Sequence, residues 1–248
     1  MCREILMTDH EKTATRELTS WKKQMQRKQP FLGVISRQVQ TRINRAIPEK
    51  IHEAITTAIK QMTRAVFTGV GFITPSVLKN GSLQDRETKI DARIKFYART
   101  AAVEGAATGA AGILLGLADF PLWLTLKMKM LFEIAALYGY DARDLKERIY
   151  LLYIFKITFS RQGRRREIYA ILKDWDIHSK TLPDNINDFD WRTFQQEYRD
   201  YIDLAKLLQL VPGIGAPVGA VVNLRLTNKL GAMAKNAYRL RSPELKTK

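Results

Sequence analysis

The chain has 248 residues, 46% of them hydrophobic, a formal net charge of +16, three histidines and one cysteine. That length holds a sizeable core in one domain, or in one domain plus an arm. Cys2 alone excludes an internal disulfide and a multi-cysteine zinc site, and it fits a reducing compartment.

The opening MCREILMTDHEKTATREL has no apolar run of signal-peptide length, so secretion is not expected. Thr8 with Glu11 three positions on makes a capping box, which makes Met7 a candidate start and predicts a helix over residues 9 to 28, stopping before Pro30. Phe31, Val34, Ile35, Val39, Ile43 and Ala46 give the next apolar face, with Arg37, Arg42 and Arg45 to one side: a basic amphipathic helix. Pro48 suits the first turn of a third helix, whose stripe is Ile51, Ile55, Ile59, Met62 and Val66, and the Gly69, Gly71 and Pro75 cluster ends it. Ser82 with Asp85 opens a helix lined by Ile90, Ile94 and Tyr97 that is free to run on into the next segment.

That segment, GAATGAAGILLGLADFPLWLTL at residues 105 to 126, is 22 residues long, enough as one helix to cross a bilayer at roughly 33 Å. Asp119 and Pro121 interrupt it. Proline lacks the amide a helix interior needs and aspartate caps a new helix, so the stretch reads as two arms of an apolar helical hairpin, one ending near Leu117 and the other starting near Phe120. The second arm runs to Tyr138, with Lys127 and Lys129 marking where it meets water and Gly139 as C-cap. A helix over 141 to 158 follows, with Leu145, Ile149, Leu152 and Phe155 or Phe159 on one face. Then come a basic loop from 160 to 166, a short helix with Ile168, Ile171, Leu172 and Trp175, and an acidic linker-like segment from 176 to 190. Asp190 caps a helix through Phe194 and Leu208. LLQLVPGIGAPVGAVVNL is a second Gly/Pro-broken apolar stretch, and Pro217 starts the final helix. Strand patterning is nearly absent, so the fold class is all-α: a multi-helix bundle with a central Gly/Ala-rich apolar helical hairpin.

The positive charge is one-sided. Seven basic residues and no acid lie between Glu17 and Glu49. Lys206, Arg225, Lys229, Lys235, Arg239 and Arg241 occupy another acid-free stretch, and Arg161, Arg164, Arg165 and Arg166 form a third cluster. Such stretches fit an anionic membrane surface or a nucleic acid. No nucleic-acid-binding module is recognisable, which disfavours the second. Small residues four apart, as in Gly105/Gly109, Gly112/Gly116 and Gly215/Gly219, let helix backbones approach closely. The hairpin therefore fills a bundle centre, enters a membrane or forms a dimer surface. Trp123, beside the break, is the tryptophan best suited to a membrane interface. Glu104, Asp119 and Glu133 lie near the hairpin and would suit a catalytic or metal cluster, with Glu104 or Asp119 serving a lipid-modifying or hydrolytic enzyme. The plainer roles are a cap for Asp119, a solvent-facing Glu133 beside Lys129, and a Glu104 paired with Arg99 or Arg93. The scattered histidines, and Thr56 where a second zinc-binding histidine after His52-Glu53 would stand, offer no metal motif. Neither GVG at 69 nor GIG at 213 completes a dinucleotide fingerprint, so no cofactor is expected.

Residues 104 to 141 resemble the EcsC family of bacterial proteins through Glu104, Gly105, Gly109, Gly112, Asp119, Pro121, Tyr138, Gly139 and Asp141. The later Pro212, Gly215, Gly219 and Asn223 are similar to its second signature. The resemblance implies a 48–241 EcsC-like helical domain after a basic arm at 1–47, with a tail at 242–248. It implies as neighbours the two subunits of an ABC transporter, and it brings no catalytic residues. The expected protein is non-enzymatic, cytoplasmic and peripheral on the inner face of the cell membrane. It holds anionic membrane surface or transporter through Arg37, Arg42, Arg45, Trp123, Lys127, Lys129, Arg164, Arg165 and Arg166.

Overall fold

A computed structural model describes residues 7–27, 49–69, 75–111, 120–160, 162–188, 190, 193 and 216–245. Among them the chain forms eight α-helices: α1 (Asp9–Gln26), α2 (Glu49–Thr68), α3 (Leu83–Ala111), α4 (Phe120–Leu137), α5 (Leu145–Phe159), α6 (Gln162–Lys173), α7 (Trp175–Thr181) and α8 (Ala216–Arg239). Short 3-10 turns follow at Ile186–Asp188 and Pro243–Leu245.

The expected start signals operate. Thr8 Oγ1 accepts from the Glu11 amide while the Glu11 carboxylate accepts from the Thr8 amide, and Ser82 and Asp85 repeat the exchange at α3. Gly69 and Gly139 take positive φ after α2 and α4. At Gly139 the Tyr140 amide reaches the Ala135 carbonyl and the Gly139 amide the Ala136 carbonyl, the paired closure that a left-handed residue permits. Helix α3 is continuous from Leu83 into the Gly/Ala-rich stretch, and α4 begins at Phe120, as the proline requires. The break itself, at 112–119 with Gly112 and Asp119, lies outside the described residues, as do Arg37, Arg42, Arg45, Pro212 and Gly215.

Among the described residues the most extensive helix interface is α3 against α8, antiparallel. Ala98, Ala101 and Gly105 are buried on α3, and on α8 a Cβ added at Gly231 would stand 2.6–2.8 Å from three carbons of Ile94. Gly231→Ala should therefore destabilise by about 1–3 kcal/mol in urea unfolding, because overpacking forces the backbones apart. Pairing it with Ile94→Ala should restore much of the loss, and an unchanged midpoint in the single variant would contradict this packing. Helix α4 runs back along α3 and touches α2 and α8. Helix α5 was expected to bury one face, but every residue from Ile149 to Phe159 is buried, so it shares the centre of the bundle with α4. Helix α1, expected in a basic arm, docks Ala14, Leu18, Trp21 and Met25 into the same core, and Leu245 of the expected tail joins it.

Three local expectations are corrected. Asp141 does not start α5: its carboxylate holds the Arg143 backbone and side chain, and Asp144 caps the helix by accepting from the Lys146 amide. Residues 162 to 166 are the first turns of α6 and not a loop, with Arg164 paired to Glu167 one turn on. The linker-like segment contains α7, anchored by buried Trp175, which packs on Tyr150 and Tyr153.

Candidate functional site

Charged groups are built into the helix interfaces at four places. The first is Glu87, which sits in the apolar stripe Leu83-Glu87-Ile90-Ile94 of α3 and is fully buried. Arg239 of α8 grips it with two hydrogen bonds of 2.7 Å, Tyr138 donates at 2.9 Å, His10 Nε2 lies at 3.0 Å and Lys235 Nζ at 3.7 Å. Burial pushes the Glu87 carboxyl up, but Arg239 and Lys235 outweigh it and hold the group below its ordinary value. Lys235 also meets Asp91 at 2.8 Å, and Arg239 meets Glu17 of α1 at 2.7 Å. One wall of this network opens on a cleft of about 300 Å³ lined in part by Glu17, Asp91, Lys95, Asn228, Lys235 and Asn236.

The second is Glu147 on α5, which accepts from Tyr238 at 2.5 Å and Arg241 at 2.8 Å. The Arg241 guanidinium stacks on Tyr140 at 3.8 Å and Tyr150 at 4.4 Å, so the chain beyond α8 is clasped to the core by one cation among aromatic faces. With fewer cations than Glu87 has, burial dominates and the Glu147 carboxyl is raised. Third, Glu133 does not face solvent: it takes both arms of Arg93 and the Tyr97 hydroxyl at 2.7 Å, bracing α4 on α3. That removes Arg93 as the expected partner of Glu104.

The fourth place is the arm of the hairpin. Trp123 and Lys127, expected at the water or membrane boundary, lie inside. Trp123 is held by a hydrogen bond from its indole nitrogen to Asn223 Oδ1 at 2.5 Å, which ties the two family signatures together across α4 and α8. Lys127 is 0% exposed, its Nζ lies 4.5 Å from the Trp123 ring centroid, and it has no hydrogen-bond partner among the described residues. Burial pulls this lysine down from 10.5 to about 7, while the more distant charge of Glu104 pulls the other way. Lys129, two positions on, is exposed as expected.

The basic residues divide accordingly. Lys235, Arg239 and Arg241, expected to face an anionic partner, are spent on internal carboxylates because α8 and the turn after it face α3 and α5. Arg225 and Arg166 are exposed, Arg164 is exposed and paired, and Arg165 is half-buried. Sequence reasoning missed Glu87 and Glu147, although each stands as an acid within an apolar stripe, the pattern of a buried paired charge. Among the described residues no group of three or more His, Cys, Asp or Glu could hold a metal ion, and no helix is long and apolar enough to cross a membrane.

The chain is 41% identical over 236 residues to Protein EcsC of Bacillus subtilis (strain 168), covering 95% of this chain and 97% of that one. It is 34% identical over 149 residues to the uncharacterised protein YdbA of the same organism, covering 59% of this chain and 54% of the other. No solved structure matches it. The model of the EcsC protein family matches residues 12–242, most of α1 included, and the chain belongs to that family.

Proposed function

We propose that this chain is a non-enzymatic helical protein that binds an anionic membrane surface with the hairpin end of its bundle, beside an ABC transporter. The supporting observation is an amphipathic end. Glu87–Arg239, Asp91–Lys235 and the Ile94–Gly231 contact fix the α3/α8 register, which brings Val103 level with Val221 and Arg99 level with Arg225. Arg93 and Tyr97 meeting Glu133 fix the α3/α4 register, which brings Leu122 near Val103 and Lys129 near Arg99. Val103 (73% exposed), Leu122 (58%), Val221 and Leu224 thus gather at one end as exposed apolar side chains. Exposed Arg99, Lys129 and Arg225 form a belt about a turn below. On α3 the carboxylate at this level is Glu104, and α8 carries none. Exposed apolar residues above a cationic belt suit the boundary between acyl chains and anionic headgroups, where each Lys or Arg contributes about 1 kcal/mol. The transporter enters through the family resemblance.

Sedimentation with vesicles of phosphatidylglycerol and phosphatidylcholine tests this reading. Binding should exceed that to neutral vesicles. Combined Val103→Asp and Leu122→Asp substitutions should cut it by at least about tenfold, through lost apolar contact and added repulsion. Full recovery in the supernatant at low salt would refute it, and so would equal binding by the double variant.

A further inference from the structure

Lys127 differs from the other buried cations described above. Lys235, Arg239 and Arg241 each meet a carboxylate within 2.8 Å, whereas the Lys127 ammonium has an aromatic face on one side and no hydrogen bond among the described residues. Glu104 of α3 acts on it at a distance, and the side chains of α8 at this level, Asn223 and Thr227, are uncharged. A fully buried ammonium is costly, and no described residue hydrogen-bonds to it, so its position suits an added anion.

The direction of the side chain indicates where that anion would sit. Side chains on a helix lean toward its N-terminus, and Nζ lies against Trp123, one turn back. The ammonium is therefore carried to the first turn of α4, an 18-residue helix in which the Phe120 and Leu122 amides have no partner within the helix and Pro121 has no amide. A buried cation beside a helix N-terminus combines a full positive charge with the positive end of the helix dipole, the pairing that suits phosphate. Pro121 and Leu122, in the same turn, are exposed, so this first turn stands at the surface while Lys127 itself is enclosed.

We propose that Lys127 and the first turn of α4 form a binding site for a phosphate group, supplied by an anionic lipid when the hairpin end meets a membrane. The source of the phosphate rests on the membrane reading above. On this view the exposed belt brings the protein to the surface, and Lys127 selects a phosphate that penetrates to the level of Trp123.

The test is a titration of the full chain labelled with carbon-13 at its lysines, with the Lys127 signal assigned by its loss in Lys127→Arg. Free protein should titrate Lys127 near 7. On phosphatidylglycerol vesicles the midpoint should rise by about one unit or more, because a bound phosphate favours the ammonium. Lys127→Met should weaken anionic-vesicle binding about tenfold, the equivalent of one charge-assisted hydrogen bond. A comparable rise with inorganic phosphate alone would support the site and assign it to a soluble phosphate. Protein that binds vesicles while its Lys127 midpoint and Lys127→Met affinity stay unchanged overturns this proposal and leaves the membrane reading standing. Protein that binds neither vesicles nor phosphate overturns both.

Discussion

Replacing Lys127 by methionine should make the protein more stable, by about 2–4 kcal/mol at or below pH 7. The displacement from 10.5 to about 7 already includes the attraction to Glu104, and it bounds the net cost of keeping this ammonium charged in the folded chain at roughly 5 kcal/mol. Methionine fills nearly the same volume without the charge. Below about 7 both folded and unfolded chains carry the proton, and the penalty is present in full. Between about 7 and 10.5 the unfolded chain binds more protons than the folded one, so wild-type stability climbs with pH. The advantage of Lys127→Met should shrink across that window and vanish above it. Urea unfolding of both proteins at pH 6, 8 and 10 reads this directly. A variant less stable than wild type at pH 6, or a difference independent of pH, would mean that Lys127 is not buried as a strained cation. A protein that is more stable and yet binds vesicles less well is the signature of a residue retained for binding at the expense of folding.

The largest loss should come from breaking the pair at the other end of the α3/α8 interface. Arg239→Ala leaves Glu87 buried with only Lys235, His10 and Tyr138, and should cost roughly 3–5 kcal/mol. Glu87→Ala should cost a similar amount, because Arg239 then keeps Glu17 alone as a charged partner. The two substitutions together should cost clearly less than their sum, since the second removes a charge that the first left unpaired. Additive losses would show that the pair is not coupled. Acid should act at the same point. The Glu87 carboxyl lies below its unfolded value of 4.5, so its contribution is complete above that pH and is lost as pH falls through the folded value. In Arg239→Ala that source of acid sensitivity should weaken, which unfolding midpoints measured between pH 5 and pH 3 would register.

The residues themselves specified the helices wherever the chemistry is local. Thr8 with Glu11 and Ser82 with Asp85 cap their helices with their own carboxylates and hydroxyls, Gly139 supplies a backbone conformation that other residues resist, and the proline at 121 has no amide to continue a helix. The all-helical class and the start of α4 follow from such short-range rules. The family resemblance was likewise carried by residues legible in order, although nothing in that order joined Trp123 to Asn223 across 100 positions.

Burial of charge could not be read that way. Lys127 and Lys129 are both lysines near the end of one apolar run, yet one is enclosed and the other exposed, because two positions along a helix is more than half a turn. Lys235 and Arg239 read as surface charge until α8 is laid antiparallel on α3, where they meet Asp91 and Glu87. Sequence determines which groups are charged and which turns they occupy. Only the packing of separate helices decides which charges lose their water, and that loss of solvation makes Glu87 a structural anchor and Lys127 a buried cation with no hydrogen bond among the described residues.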